Sequence, residues 1–483
     1  MVFSSEIFLF FFLPLFLFVY FLVTGVSGKN IVLLFFSLFF YAWGEPLFVL
    51  MLLLSVTINW GLGRYVSNNT NTGKMVLVIG VAWNLLVLGM AKYADFFIEN
   101  INRLPLISAA LEPLGITLPL GVSFFTFQAI SYLVDVYRGH TKDENSWIRV
   151  ALYITMFPQL VAGPIVRYRT VASQLRNRRQ TLARIAIGAR IFIIGLAQKM
   201  LIANEVGRFA DVAFADVTIL DSIEAWGGLI AYTLQIYFDF AGYSNMAIGI
   251  GFIIGFSFPR NFRHPYTSQS VTEFWHRWHM SLSRWFRDYV YIPLGGNRVS
   301  AARTYLNLMA VFILCGFWHG AAWNFLIWGA YHGLFLILER AWLASRLQCL
   351  PGWLAHGYSL MVVMLGWVWF RAESPTDAVL YLGSLFGFGG NAYIDERFHE
   401  AAIPFWYLAM AIGILLSLFR WRPIRAYIAS LAGVFTEKTA VQGAVATQSL
   451  ENVLRDVVAL TLLLASIVFV IGSEYNPFLY FRF

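Results

Sequence analysis

A succession of long apolar segments, separated by short connections, constrains this chain more than any other feature. Of the 483 residues, 59% are hydrophobic and only 12% are charged, about half of the charged share that is usual in a soluble domain. A membrane-spanning helix needs about 20 apolar residues. The pattern therefore predicts an all-α polytopic membrane protein with about eleven transmembrane helices, some of them broken or re-entrant. Candidate segments lie at 7–26, 31–43, 47–63, 75–91, 116–136, 149–166, 186–203, 225–257, 305–318, 321–343, 357–371, 402–419 and 456–472.

Two places in these segments predict a break. Gly44-Glu45-Pro46 separates two apolar segments, and 225–257 is too long for one straight helix, so we expect an interruption at Asp239–Gly242. A carboxylate inside an apolar segment is costly unless it is paired or borders water. We therefore expect Asp239 to pair with an arginine of 260–287 or to line a wet cavity. No repeat or linker divides the chain, which predicts a single domain, 1–483.

The net charge of +8 is concentrated in arginines that lie in short connections. The positive-inside rule places these connections in the cytoplasm, and it places the acidic 372–400 connection outside. Contact with anionic lipid headgroups accounts for such a charge, so we expect membrane lipid and no nucleic acid as a partner. The two cysteines form no disulfide framework, and we expect no metal site. The arginines are Arg167, Arg169, Arg176, Arg178, Arg179 and Arg184 in one connection, Arg260, Arg263, Arg277, Arg284, Arg287, Arg298 and Arg303 in a second, and Arg420, Arg422 and Arg425 in a third.

Four of the eight histidines fall between residues 271 and 332. Histidine is the side chain best suited to move a proton near neutral pH, and it is costly inside a membrane, so this cluster indicates chemistry. Within 275–289, aromatic residues and arginines follow separate helical lines, which predicts one amphipathic helix lying in the membrane interface. His279 lies on a third line with Ser283 and Arg287. We expect a functional role for His279 and a structural one for His276.

The other two histidines lie in apolar runs. Gly316 and the glycine that follows His319 allow a backbone or a ligand to approach His319 closely. This pattern fits catalysis and fits a core histidine bonded to a carbonyl equally well. His332 follows Asn324 and Trp328 at helical spacing, which predicts an internal polar contact with a structural role.

Five motifs together resemble the membrane-bound O-acyltransferase family (MBOAT), and more closely its bacterial branch of alginate-type polysaccharide O-acetyltransferases. The resemblance implies a ring of helices around a thin central region, with the motif-bearing core at about 120–345. It also implies transfer of an acyl group from a thioester donor to a hydroxyl. The motifs are FTFQAISYLVDVYRG (125–139), FPQLVAGPIVRY (157–168), YFDFAGYSNMAIGIG (237–251), EFWHRWHMSLSRWFRDYVYIPLGGNR (273–298) and FWHGAAWNFLIWGAYHG (317–333).

The resemblance assigns the two catalytic residues. The family's W-H-G histidine matches His319, and the second histidine of R-W-H-x-S-L-S matches His279. His276 stands where bacterial members of the family have arginine, so it is not expected to be essential. His319 acts either as a general base or as a briefly acylated relay. His279 either holds the tautomer of His319 or polarises the thioester carbonyl.

No bound cofactor is expected, and the donor substrate implied is acetyl-CoA or a similar thioester. Arg284 and Arg287 are the candidates for contacting its phosphates. The function implied is passage of acetyl groups across the bacterial inner membrane for O-acetylation of an exported polysaccharide such as alginate. Because the chain has no large soluble domain, we expect a separate periplasmic acetyltransferase or esterase-like partner. Two alternatives stay open: a transporter or flippase of an acylated or lipid-linked intermediate, and D-alanyl transfer to teichoic acid.

Overall fold

The computed structural model describes residues 1–66, 70–105, 110–389, 398, 401, 404–418, 445–473, 475–477 and 479. The protein is 77% helical, and the described ranges contain no β-strand. Seven of the described helices are long and apolar enough to cross a membrane, and three shorter apolar helices accompany them. The prediction of an all-α polytopic membrane protein is confirmed, whereas the number of about eleven spans stays a prediction.

The described residues group into two compact units, one formed mainly by the first 180 residues and the other mainly by 181–483. The single-domain prediction for 1–483 stays a prediction. The first unit contains a π-helical turn, Ile7–Phe12, that continues into α1 (Leu13–Leu22). Its other helices are α2 (Val26–Gly44), α3 (Phe48–Tyr65), α4 (Asn71–Lys92), α5 (Ala94–Asn102), α6 (Val122–Tyr137), α7 (Trp147–Thr155), α8 (Phe157–Leu160) and α9 (Tyr168–Arg176).

The first unit confirms the predicted break at Gly44-Glu45-Pro46, because α2 ends at Gly44 and α3 begins at Phe48. Its core includes a buried carboxylate, Glu144, in the connection between α6 and α7. Arg149 and Arg176 form ion pairs with this carboxylate at 2.7 and 2.9 Å, and the Tyr168 hydroxyl donates to it at 2.8 Å. A buried carboxylate with several charged and neutral donors is stabilised in its ionised form.

The second unit begins with α10 (Leu182–Ala197), which passes through a π-helical segment, Gln198–Ala203, into α11 (Asn204–Ala215). Its remaining helices are α12 (Ser222–Ile253), α13 (Val271–Arg277), α14 (Met280–Phe286), α15 (Ala301–His319), α16 (Trp323–Leu338), α17 (Ala344–Cys349), α18 (Gly352–Arg371), α19 (Pro375–Leu385), α20 (Pro404–Leu418) and α21 (Val445–Gly472). A 3₁₀ turn lies at Pro265–Thr267, and π-helical segments lie at Arg287–Tyr291 and Glu339–Leu343.

The predicted interruption at Asp239–Gly242 is wrong, because α12 is one continuous helix of 32 residues. Two observations explain its continuity. Asp239 is satisfied by side-chain and backbone partners without any opening of the helix. Gly242 lies where α12 meets α10, and a Cβ there would stand 2.7 Å from the Gly195 carbonyl oxygen. The glycine therefore serves close helix packing rather than a break.

The predicted single helix over 275–289 is also wrong. α13 ends at Arg277, Trp278 is extended, and His279 has a left-handed backbone with φ of 41° before α14 begins at Met280. The helical line through His279, Ser283 and Arg287 therefore does not exist.

Several of the charged residues used to predict the topology are buried or lie outside the described residues. The third arginine connection, with Arg420, Arg422 and Arg425, lies outside the described residues, as do Asp395, Glu396, Arg397 and Glu400 of the acidic connection. Arg178 is buried, and its guanidinium donates to Tyr20 and Asn30 inside the first unit.

Candidate active site

His319 is the last residue of α15, and close helix packing determines its position. Gly316, one turn earlier, lies so close to α16 that a Cβ would stand 2.2 Å from the Phe325 carbonyl oxygen. A Cβ on Gly329 of α16 would stand 2.3 Å from the Phe312 carbonyl oxygen. This reciprocal pair of glycines lets the two backbones touch, as small residues do between membrane helices. The prediction that Gly316 permits a close approach is confirmed, and the backbone that approaches is α16.

The imidazole of His319 is buried in an aromatic cage. Its ring centroid lies 4.7 Å from that of Trp318, 5.3 Å from that of Trp328 and 5.0 Å from that of Phe370, each in an edge-to-face arrangement. Such packing fixes the plane of the imidazole ring. The cage leaves His319 facing a cavity in the second unit.

The cavity beside His319 is narrow, with about 10 Å³ of room for the centre of a water molecule. That is space for about one ordered water and not for a thioester together with a hydroxyl acceptor. A thioester and a hydroxyl acceptor would fit here only if the walls moved apart. The walls are Ile236, Asp239, Phe240, Trp278, His319, Trp328, Trp367, Phe370 and Leu479.

Asp239 lines the same cavity, in agreement with one of the two alternatives predicted for this carboxylate. The other expectation, a paired carboxylate, is also confirmed, but an arginine of 260–287 as its partner is wrong. The partner is Lys199 of the π-helical segment after α10, whose Nζ lies 2.7 Å from Oδ1 of Asp239, with both side chains buried. The backbone N–H of Leu479 donates to Oδ2 at 3.1 Å. The lysine was overlooked because nothing in the sequence near Asp239 indicates a partner 40 residues away.

His279 is buried but does not line the cavity. Its ring packs edge-to-face on Phe240 at 4.6 Å, and Phe240 is itself a cavity wall. The Trp318 ring lies 6.2 Å from the His279 ring, and Trp318 also packs on His319 at 4.7 Å. Among the described residues, neither ring nitrogen of His279 has a hydrogen-bond partner. No hydrogen bond therefore joins His279 to His319 in this conformation.

The turn that carries His279 is held by Asn261, which the sequence analysis missed. The Asn261 backbone oxygen accepts from Met280 N–H at 2.9 Å, and its Oδ1 accepts from Ser281 N–H at 3.2 Å and Ser281 Oγ at 2.6 Å. Its Nδ2 donates to Ser244 Oγ of α12 at 3.0 Å. A left-handed backbone is uncommon for a residue other than glycine and costs about 1–3 kcal/mol, so it persists only where the surroundings enforce it.

A second missed residue, Glu339, holds the other end of α13. Its carboxylate accepts from Val271 N–H at 2.6 Å, from Thr272 N–H at 2.8 Å and from Thr272 Oγ1 at 2.6 Å. An anion at a helix N-terminus satisfies donors that have no partner within the helix. Neither Asn261 nor Glu339 is signalled by periodicity, since each acts on a segment distant in the chain.

The other two histidines have different surroundings. His276 is exposed on α13, and its Nδ1 lies 2.7 Å from the Thr272 carbonyl oxygen. His332 is fully buried, but the predicted polar contact with Asn324 is wrong: the Asn324 amide donates to the Ala372 carbonyl oxygen at 2.6 Å. His332 instead packs edge-to-face on Trp275 at 5.0 Å and Trp328 at 5.1 Å.

The arginines proposed for the donor phosphates lie away from this cavity. Arg284 is half-buried on α14, and Arg287 is exposed and pairs with Asp288 at 2.6 Å. Neither is a cavity wall. Their role in donor binding stays a prediction.

Comparison with known proteins places this chain in a family. The family model of the membrane-bound O-acyltransferases matches residues 140–372. Over the whole of both chains, the protein is 39% identical to the probable alginate O-acetylase AlgI of Azotobacter vinelandii. The chain belongs to the membrane-bound O-acyltransferase family.

Further relatives support this assignment. The probable alginate O-acetylase AlgI of Pseudomonas syringae pv. tomato is 44% identical over 80% of this chain and 76% of its own length. The peptidoglycan O-acetyltransferase of Helicobacter pylori is 35% identical over 81% of this chain and 80% of its own length. The predicted membership of the MBOAT family is confirmed, and the protein is a multi-pass membrane acyltransferase. Both proposed catalytic histidines lie within the matched range.

Proposed function

We propose that this MBOAT protein passes acetyl groups from a cytoplasmic thioester donor, such as acetyl-CoA, across the bacterial inner membrane for O-acetylation of an exported polysaccharide. The observation that carries the proposal is a buried histidine, His319, facing a narrow cavity in a chain of this family. The names of the relatives, alginate O-acetylase and peptidoglycan O-acetyltransferase, support a polysaccharide as the final acceptor. Alginate is the specific candidate, because the relatives that match over the full length carry that name.

The reaction class defines what the site has to do. A hydroxyl oxygen attacks the thioester carbonyl, the C–S bond breaks, and the thiol leaves with a proton, so that an ester and a free thiol replace a thioester and an alcohol. A base must take the hydroxyl proton, and the carbonyl oxygen needs a donor while negative charge develops on it. His319 is the proposed base. His279, whose ring nitrogens have no partner among the described residues, is the proposed donor to the carbonyl oxygen.

A covalent version uses the same residues. His319 attacks the thioester itself, releases the thiol, and passes the acyl group from its imidazole to the hydroxyl. The two versions differ in one observable. With labelled acetyl thioester and no acceptor, only the relay leaves a hydroxylamine-sensitive label on the protein, and His319→Ala removes that label.

The test of the catalytic role is His319→Ala. Transfer should fall by about 10²–10⁴-fold, the contribution typical of general acid–base catalysis. Yield, gel-filtration profile and thermal unfolding in detergent establish that the variant is folded. Wild-type acetyl content in the polymer, with the variant present in the membrane at normal level, would exclude the role.

Hand-over to a partner is the second part of the proposal. The described connections are short, and no soluble domain is available among the described residues to hold a polymer after export. We therefore propose that a separate periplasmic acetyltransferase or esterase-like protein receives the acetyl group. In proteoliposomes, the protein alone should release thiol slowly, and addition of the partner should restore polymer acetylation. Efficient polymer acetylation without the partner would place the whole reaction in this chain.

The same proteoliposomes separate the alternatives. A transporter would move a preformed acylated intermediate without breaking a bond. It would release no thiol from acetyl-CoA, whether or not His319 is present. A D-alanyl transferase would use a D-alanyl thioester carried on a protein in preference to acetyl-CoA. Thiol release from acetyl-CoA that depends on His319 supports acetyl transfer over both.

A further inference from the structure

Two titratable side chains line the cavity among the described residues, His319 and Asp239. The remaining walls are aromatic or aliphatic, so the cavity has a low dielectric and a charge in its wall acts strongly. Asp239 comes from the middle of α12, whereas His319 comes from the end of α15. A carboxylate and an imidazole from distant parts of the chain therefore face the same small space.

The position of the Asp239 carboxylate is fixed on both oxygens. Oδ1 pairs with Lys199 at 2.7 Å, and Oδ2 accepts the Leu479 N–H at 3.1 Å. The Lys199 ammonium also donates to the Pro477 carbonyl oxygen. Asp239 lines the cavity and Lys199 does not.

We propose that Asp239 is a positioning residue for acyl transfer, and that its carboxylate, oriented by its ion pair with Lys199, stabilises the positive charge that develops on His319 during the reaction. The proposal rests on the proposed function, because it requires His319 to become positively charged. That happens when His319 takes the hydroxyl proton and also when it carries an acyl group as a cation. A preoriented charge of this kind needs no reorganisation during the reaction.

A purely structural role for the pair makes a different prediction. Replacing both members of a buried ion pair by neutral side chains of similar size often leaves the stability of the fold unchanged or raises it. Removing only one member lowers the stability, because the other charge stays buried without a partner. If Lys199 and Asp239 only hold helices together, a well-folded variant in which both are replaced by neutral residues (the neutral pair) should be fully active. If the carboxylate acts on His319, the neutral pair should fold and still transfer slowly.

The decisive variant is therefore Lys199→Met together with Asp239→Asn. Asparagine keeps an oxygen that accepts from Leu479 N–H, and methionine keeps most of the lysine volume. We expect a melting temperature close to that of the wild type, kcat for thiol release about tenfold lower or more, and KM for the acetyl thioester within about twofold. A loss confined to kcat indicates an interaction made mainly in the transition state.

The matched control is Asp211→Asn. Asp211 pairs with Arg371 at 2.8 Å and accepts from the Tyr475 hydroxyl at 2.6 Å, so it also binds the segment that contains Leu479. It does not line the cavity. Its kcat should remain near the wild-type value, which separates loss of the charge at the cavity from loosening of residues 475–477 and 479.

Rescue by a conservative change supplies a second variant. Asp239→Glu retains the charge and should recover part of the kcat that the neutral pair loses. A neutral pair with wild-type kcat, a defect confined to KM, or a glutamate variant no more active than the neutral pair would overturn the proposal. If the neutral pair does not fold, the single variant Asp239→Asn is measured in the same way. A kcat of Asp239→Asn within about twofold of the wild-type value would then overturn the proposal.

The His319→Ala variant keeps this test distinct from that of the proposed function. If His319→Ala remains active, the proposed function fails. If His319→Ala is inactive and the folded neutral pair is fully active, only the role of Asp239 fails.

Discussion

Replacing Asn261 with alanine tests whether the strained turn at His279 is required for transfer. The substitution removes three side-chain hydrogen bonds, two accepted from Ser281 and one donated to Ser244. At about 1 kcal/mol each, their loss costs about 3 kcal/mol, and more where a buried donor is left without a partner. The left-handed backbone of His279 itself costs about 1–3 kcal/mol. The two energies are similar, so we expect the turn to relax and His279 to leave its position against Phe240.

The expected result is loss of transfer comparable to that of His279→Ala, although the histidine is still present. Polymer acetyl content and thiol release report transfer, and thermal unfolding in detergent reports stability. The matched control is Asn84→Ala in the first unit. Asn84 is also buried and also loses three hydrogen bonds, two with Asn59 and one to the Gly80 carbonyl oxygen.

Both substitutions should lower the melting temperature by a similar amount, but only Asn261→Ala should stop transfer. Wild-type transfer by folded Asn261→Ala would show that the turn does not depend on this residue. Equal loss of transfer in both variants would show that general destabilisation, and not the position of His279, is responsible.

Three further predictions follow from the site and the topology. His279→Ala should lower transfer strongly and His276→Ala, at an exposed position, much less; the reverse order in polymer acetyl content would contradict the assignment. In a cysteine-free background, a cysteine at Arg179 should be protected from an impermeant thiol reagent added outside intact cells, and one at Glu373 should react; labelling at Arg179 would reverse the orientation. Burial acts to raise the pKa of Glu144, but hydrogen bonds from arginines, a tyrosine and a backbone N–H outweigh it and lower the pKa to about 2. Because the folded-state pKa is depressed, the stabilisation by the carboxylate is present above about pH 4.3 and is lost as pH falls toward 2. Glu144→Gln should therefore lower the melting temperature at neutral pH, and the difference from wild type should shrink below pH 4.3; a difference that is constant with pH would contradict the ionised, bonded state.

The amino-acid sequence alone was sufficient for the membrane class of the protein. Apolar runs long enough to span a bilayer are a local property, and so is the break at Gly44-Glu45-Pro46, since proline and glycine act on the backbone where they stand. For these features, the physical cause lies within about one helical turn of the residue concerned. The local pattern around His319 fits catalysis and a core histidine equally well, so the family resemblance, and not local chemistry, singles it out as catalytic.

Tertiary contacts decided what local patterns could not. Residues 275–289 have good helical periodicity, but Asn261 competes for the backbone at Met280 and Ser281 and turns the chain at His279. The gain from these hydrogen bonds is comparable to the cost of the strained conformation, so periodicity alone predicts the wrong structure.

The polar partners inside the membrane region show the same limit. Asp239 was recognised as a costly carboxylate, yet its partner Lys199 and the N–H of Leu479 lie 40 and 240 residues away in the chain. The energetic demand of a buried charge can be deduced from the sequence, because it depends only on the residue and its apolar surroundings. Which group meets that demand is decided by how α10, α12 and the carboxyl-terminal segment pack together, and that packing places Asp239 in the wall of the cavity that His319 also lines.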